Sequence, residues 1–350
     1  MPQPFPTLAD FYAHGYDTVI DVRSPAEFAE DHVPGAMSLP AMSNEERAVV
    51  GTMYLQESPF RARKIGAAIV ARNVASHLEG PLADKDGGWR PLVYCWRGGQ
   101  RSGSVASILS QIGWRAQTVE GGYRSYRRLV AGMLHDTPLP HRLILLDGNT
   151  GTAKTALLHR LAARGVQVVD LEGLAAHRGS LFGAVERPQP AQKAFESLLA
   201  KDFTQLDPAR PVVVEAESSK IGDLLVPPSV WTAMRAAQRI RVAAPLDARA
   251  RYLARAYADL TAAPEALADT IRQLVPYQGR EQVDAWLKLA ADGAFAPLAG
   301  DLMRQHYDPR YAKWRSRHDH DEMAVIEAED LKDDDLDRAA DRIAAVVERG

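Results

Sequence analysis

At 350 residues the chain has the length of two or three domains, and 46% hydrophobic with 25% charged residues is the composition of a globular protein with an ample core. A formal net charge of −3 argues against a protein that coats nucleic acid, while leaving room for a local basic groove. The only cysteine, Cys95, excludes an intramolecular disulfide and a multi-cysteine zinc site, so a reducing compartment is expected. No apolar run approaches the roughly 18 residues of a membrane span. The opening Met1-Pro2-Gln3-Pro4-Phe5-Pro6 lacks the basic and apolar segments of a secretory signal, so the cytoplasm is the expected location, with no membrane partner.

Residues 1–131 read as one α/β unit. Asp17-Thr18-Val19-Ile20-Asp21-Val22 has the composition of a strand, and Ser24-Pro25-Ala26-Glu27-Phe28 opens a helix with cap, proline and acid in order. His32-Val33-Pro34-Gly35-Ala36 is a turn before a short strand at Met37–Pro40, and a long helical region follows over Asn44–Glu79 with breaks expected near Gly51 and Pro59. Pro91-Leu92-Val93-Tyr94 reads as a buried strand leading into Cys95-Trp96-Arg97-Gly98-Gly99-Gln100-Arg101. The apolar positions Val105, Ile108, Leu109 and Ile112 then repeat at helical spacing, with Ser102 as the expected N-cap. Cys95 thus lies at a strand end, facing a helix N-terminus. Raising its thiolate population about a hundredfold takes roughly 2.7 kcal/mol, and a helix end supplies up to about 2 kcal/mol. The loop amides, Arg97 and Arg101 are left to supply the rest.

A strand at Ala116–Val119 and the turn Gly121-Gly122 close the unit. The segments Asp21–Phe28, His32–Ala36, the Cys95 loop and Glu120-Gly121-Gly122-Tyr123 resemble a rhodanese domain. That resemblance implies a cysteine that carries sulfur or selenium as a persulfide or perselenide. The Cys-x5-Arg spacing from Cys95 to Arg101 is also that of tyrosine phosphatases, although Tyr94 stands where those enzymes usually place histidine.

Residues 132–142, with Pro138 and Pro140, read as a linker, and 143–245 as a second α/β domain. The strand Leu143–Asp147 runs into Gly148-Asn149-Thr150-Gly151-Thr152-Ala153-Lys154-Thr155 and then a helix. This resembles the Walker A phosphate loop, with Ala153 where its second glycine is expected. The Ala153 methyl is expected to crowd a bound phosphate. With a negative φ there, the loop amides, Lys154 and Thr155 can still hold a diphosphate. Strands at Val166–Leu171 and Val212–Val214 follow, and Glu215 or Glu217 takes the place of a Walker B acid. Residues 246–350 read as mainly helical, alanine-rich over Asp247–Leu298, with a solvated helix at the end. Within them Arg310, Tyr311, Lys313, Trp314, Arg315 and Arg317 interleave bases with aromatics, as RNA-contacting surfaces do. Adjacent residues rarely converge on one ion, so His318-Asp319-His320-Asp321 is not read as a metal site.

Asp170-Leu171-Glu172-Gly173, His177–Gly183, Gln189-Pro190-Ala191-Gln192, Glu217–Gly222, Gly51–Tyr54 and Tyr307-Asp308-Pro309 complete a second resemblance. Over nearly its whole length the chain is similar to the bacterial tRNA 2-selenouridine synthases. The fold this implies is a rhodanese-like domain, then a P-loop NTPase-like α/β domain with a helical C-terminal region. The implied substrate is a tRNA with 2-thiouridine at the wobble position. Its sulfur is geranylated from geranyl diphosphate and then replaced by selenium from selenophosphate. These are co-substrates; no tightly bound cofactor or metal site is expected, and magnesium is compatible. Cys95 is then the chalcogen carrier, with Arg97 and Arg101 on selenophosphate, and Gly148–Thr155 hold the diphosphate. Asp170, His177, Arg178, Glu215, Glu217 and Ser218 are the expected acids or supporting groups. Two other readings are a sulfurtransferase or phosphatase with a regulatory P-loop domain, and an NTPase or nucleotide kinase with a non-catalytic rhodanese module.

Overall fold

Two parallel sheets, one in each of two units, organise the chain. The computed structural model describes residues 2–315 and 321–349. One unit is Met1–Thr137 with Pro190–Gln205, and the other is Pro138–Gln189 with Leu206–Gly350.

The first unit has a four-stranded parallel sheet of β1 (Thr18–Asp21), β2 (Met37–Ser38), β3 (Pro91–Tyr94) and β4 (Gln117–Thr118), in the order β2-β1-β3-β4. All four residues of β3 are buried, as its unbroken apolar run requires of a central parallel strand. The long helical region is two helices, Asn44–Gln56 and Pro59–Glu79. The break comes at Pro59, which takes the first position of the second helix after Ser58 caps it; Gly51 lies inside the first helix without interrupting it. Ile69, Val70 and Val74 of the second helix share a core with Ile20, Val93, Val105 and Leu109.

Two boundaries differ from the sequence reading. The helix Tyr123–Ala131 continues as a π-helical turn, Gly132–Asp136, and buries Leu134, so the first half of the expected linker is ordered helix. The helix Gln192–Gln205, read with the second domain, belongs to the first unit. There it buries Phe195, Leu199 and Phe203, and the Ser197 hydroxyl donates to Asp31 at 3.1 Å. Each such apolar side chain contributes about 1.5–3 kcal/mol by leaving water.

The second unit holds a five-stranded parallel sheet in the order β11-β10-β5-β7-β6. Its strands are β5 (Leu143–Gly148), β6 (Gln167–Val169), β7 (Val212–Glu215), β10 (Gln238–Ala243) and β11 (Glu322–Glu327); a small antiparallel hairpin pairs β8 (Lys220–Ile221) with β9 (Leu224–Leu225). The sequence reading passed over β10, whose alternating Gln238-Arg239-Ile240-Arg241-Val242 hides its apolar face behind arginines. It also placed a solvated helix at the end of the chain. Helix Asp333–Arg349 instead buries Leu336, Ala339, Ala340, Ile343 and Val347 in the core that holds Leu157, Leu158 and Leu161. Arg160 and Arg164 pair with Asp333, Asp337 and Asp341 on that helix. Its acidic face is thus matched to arginines while staying open to water.

Candidate functional site

The Cys95 thiol is 4% exposed at the end of β3. Two straps hold its loop: the amides of Tyr123 and Arg124 donate to the carbonyls of Cys95 at 2.8 Å and Trp96 at 3.1 Å. Gly98 and Gly122 both have positive φ. A Cβ on Gly98 would lie 2.6 Å from the Val119 carbonyl oxygen, and one on Gly122 would strike the Cys95 carbonyl. The two segments therefore approach closer than side chains permit, which is why glycine stands at both positions.

Ser102 is not the helix cap. The helix Gln100–Ile112 starts from Gly99, so Ser102 lies in its first turn and points back toward the N-terminus. Its buried hydroxyl lies 3.2 Å from Cys95 Sγ. Burial pushes the Cys95 thiol up, but the Ser102 hydroxyl and the amides of Ser102, Gly99 and Arg97 hold it below its ordinary value. The share assigned to the arginine charges from sequence is carried by these dipoles. Arg101 donates to Glu27 at 3.0 Å, and Glu27 also accepts from Arg47 at 3.1 Å and from the Ser24 amide at 3.1 Å. Arg97 is exposed and makes no ion pair among the described residues.

In the second unit the phosphate loop lies between β5 and the helix Lys154–Ala163. Gly151 and Ala153 both have positive φ, +85° and +60°. The negative φ expected at Ala153 is therefore not adopted. A left-handed alanine costs about 1–2 kcal/mol, and its methyl belongs to the buried cluster of Leu146, Leu157 and Val242. The backbone follows the path a glycine would take, and the methyl goes to the core.

This loop borders a cavity of about 570 Å³, reached also by Asp170, Glu172, His177, Arg178 and Glu217. Lys154 Nζ donates to the Gly148 carbonyl at 3.1 Å, and Thr155 Oγ1 donates to Glu172 at 3.1 Å. Burial works against the Lys154 charge, but Tyr311, Glu217, Glu172 and Asp147 hold its pKa above the ordinary value. Burial and the neighbouring Glu172 carboxylate push Glu217 up to about 8, while Lys154 pulls the other way.

Of the two candidate acids only Glu217 reaches the cavity. Glu215 is fully buried, accepts from the Leu171 amide at 3.0 Å, and is held far above its ordinary value by burial and by Asp170. Ser218 is turned to the hairpin, where its hydroxyl donates to the Lys220 carbonyl at 2.5 Å. Asp170 caps the helix Leu171–Ala175 by accepting from the Gly173 amide at 2.6 Å. Arg178 pairs with Asp259 at 2.9 Å and lies over the Tyr257 ring. His177 accepts from the Gly179 amide at 3.1 Å, and burial lowers its pKa.

The basic-aromatic segment divides. Tyr311 lines the phosphate-loop cavity, while Arg310 is exposed with its guanidinium over Tyr277 at 5.1 Å. Lys313 is exposed, Trp314 and Arg315 continue the helix Asp308–Arg315, and Arg317 lies outside the described residues. Sequence reasoning missed the clamp behind the loop. Arg249 is buried, donates to the Thr150 carbonyl at 3.1 Å and to both Asp308 oxygens at 3.0 and 2.7 Å, and Asn149 donates to Asp308 at 2.9 Å. The Tyr307-Asp308-Pro309 motif was the one available signal.

A family model described as the tRNA 2-selenouridine synthase AAA domain matches residues 141–291, and a rhodanese-like domain model matches residues 7–129. A tRNA 2-selenouridine synthase of Nitrosomonas europaea is 35% identical over 262 residues, covering 74% of this chain and 67% of that protein. The one from Nitrosomonas eutropha is 36% identical over 235 residues, covering 66% and 60%. The one from Cupriavidus pinatubonensis is 33% identical over 328 residues, covering 84% and 87%.

Proposed function

This chain belongs to the tRNA 2-selenouridine synthase family, and on that premise we propose that it converts wobble 2-thiouridine in tRNA into 2-selenouridine through an S-geranyl intermediate. In the first step the thio sulfur attacks C1 of geranyl diphosphate. The C1–O bond breaks, and diphosphate leaves with the electron pair. Lys154, Thr155 and the amides of Gly148–Thr155 are assigned to that departing charge, a task for preorganised donors. Thr155 and Glu172 are the side chains that would meet a magnesium ion accompanying the diphosphate, whose charge would assist its departure. In the second step selenium bonds to C2 of the uridine and the C2–S bond breaks, releasing geranyl thiolate. Selenophosphate is consumed with water, and phosphate is the other product. Selenium in selenophosphate is already at the selenide level, so this net displacement needs no oxidant. Cys95 is assigned to selenium delivery at that level: its thiolate attacks the phosphorus of selenophosphate, the P–Se bond breaks to release selenide for C2, and water then hydrolyses the S–P bond to phosphate, with Arg97 meeting the selenophosphate anion and Arg101 in support.

The observation that carries this reading is the Cys95 thiol ringed by Ser102 and three backbone amides, in a chain whose second unit holds a phosphate loop. Arg101 engaged by Glu27 favours it over a Cys-x5-Arg phosphatase, which needs that arginine on its phosphate. The test is nucleoside mass spectrometry of tRNA incubated with the full chain, geranyl diphosphate and selenophosphate. Lys154→Ala should leave 2-thiouridine unreacted, at a loss of about a hundredfold or more in rate. Cys95→Ser should accumulate the S-geranyl nucleoside, and pre-geranylated tRNA should rescue only Lys154→Ala. Both variants stalling at 2-thiouridine would defeat the division of labour. Turnover of an aryl phosphate or of ATP, without any selenouridine, would replace the reading.

A further inference from the structure

We infer that the helical region after the phosphate-loop sheet holds the hydrocarbon tail of a prenyl diphosphate. The inference deepens the proposed geranyl transfer and rests on it. A slot of about 80 Å³ runs among the helices of residues 246–302 and is lined almost wholly by apolar side chains. Its walls include Phe182, Leu267, Leu298, Leu302 and Met303, each less than 9% exposed. At one end it shares Thr150, Ser180, Leu253, Tyr257 and Tyr307 with the phosphate-loop cavity. Thr150 is itself a residue of the loop, so the apolar slot begins where the anion site ends.

That juxtaposition selects a ligand with an anionic head and a hydrocarbon tail. A nucleotide would put a polar ribose and base into the slot, leaving their hydrogen-bonding groups unmatched among leucines and phenylalanines. An allylic diphosphate matches both ends. Its reacting carbon, one bond from the diphosphate, would lie at the mouth, which Tyr257 and Tyr307 line. The slot's volume corresponds to roughly five to eight water-sized groups. It therefore takes one isoprene unit fully and two with the first at the mouth, leaving a third beyond this space.

Ala254 and Ala299 are the small residues on its wall, and they make the slot adjustable. The test measures equilibrium binding of inorganic pyrophosphate and of dimethylallyl, geranyl and farnesyl diphosphates to the full chain. Geranyl diphosphate should bind about thirtyfold or more tighter than pyrophosphate, because its buried methylenes add to a shared head site. Ala299→Phe should reduce that advantage to less than about threefold while pyrophosphate affinity stays within about twofold. Should Ala299→Phe lose pyrophosphate binding through misfolding, Leu298→Ala decides. Its wider slot should raise farnesyl affinity relative to geranyl by about tenfold. Geranyl diphosphate binding no tighter than pyrophosphate overturns the slot and leaves the phosphate-loop reading standing, as does an advantage that survives Ala299→Phe or a chain-length preference unmoved by Leu298→Ala. Pyrophosphate that binds the wild type no better than Lys154→Ala overturns the reading beneath it.

Discussion

The Cys95 loop and the phosphate loop share one plan: a buried parallel strand, a turn with positive φ, and a helix whose first amides face the loop. They differ in what the amides face. In the first unit they converge on a side chain of the chain itself, and Ser102 completes a ring around sulfur. In the second they border a cavity of about 570 Å³, and Lys154 rests on a loop carbonyl beside two carboxylates. One arrangement stabilises a resident anion and the other suits a visiting one. The supports differ accordingly. Backbone straps and glycine contacts hold the thiol loop, whereas a buried arginine and Asp308, distant in sequence, hold the phosphate loop.

The largest effect that would sharpen this contrast is expected at Asp308. Asp308→Ala removes the partner of buried Arg249 and of Asn149. It should cost about 2–3 kcal/mol of stability, somewhat below a fully buried pair because Asp308 keeps some exposure. Pyrophosphate affinity should fall about tenfold, while Cys95 alkylation stays at the wild-type rate. Calorimetry with a thiol assay checks both; alkylation slowed along with binding would mean the supports are not separate.

Next in size is Ser102→Ala. Without the hydroxyl, the thiol pKa rises toward its ordinary value, and thiolate reactivity near neutral pH should fall about tenfold, the worth of one hydrogen bond to a charged group. The sign is fixed by direction. A thiol held low when folded contributes stability that is present above its ordinary range and lost as pH falls through the folded value. Alkylation rates measured across pH should show the Ser102→Ala profile displaced to higher pH. A profile that does not move would leave the amides as the whole cause.

The smallest effect is expected at Ala153→Gly. Relief of about 1–2 kcal/mol of left-handed strain is offset by a lost buried methyl, about 0.8 kcal/mol, and by glycine's extra chain entropy, about 0.5–1 kcal/mol. The sum is near zero. The melting temperature should therefore move by no more than about 3 °C, and pyrophosphate affinity should stay within about threefold. A large gain in affinity would restore the expectation that the methyl crowds the phosphate.

Much of this protein was legible from local pattern. The unbroken apolar runs of β3, β5 and β7 announced buried parallel strands, and each loop motif named the residues nearest its chemistry, because strand, turn and helix start are written within about a dozen consecutive positions. What tertiary structure decided were choices among residues that look alike in sequence. Glu215 and Glu217 are two positions apart, yet one is sealed in the core and the other meets Lys154. Ser102 reads as a cap but reaches back to sulfur, because the helix starts three residues earlier than its apolar spacing suggests. Helix Gln192–Gln205 belongs to the first unit and helix Asp333–Arg349 to the second, since burial of an apolar face depends on which surface is available to cover it. The Arg249–Asp308 clamp and the apolar slot join residues far apart along the chain. Local periodicity reports which face of an element is apolar; only the folded chain determines what that face, or a buried charge upon it, is brought against.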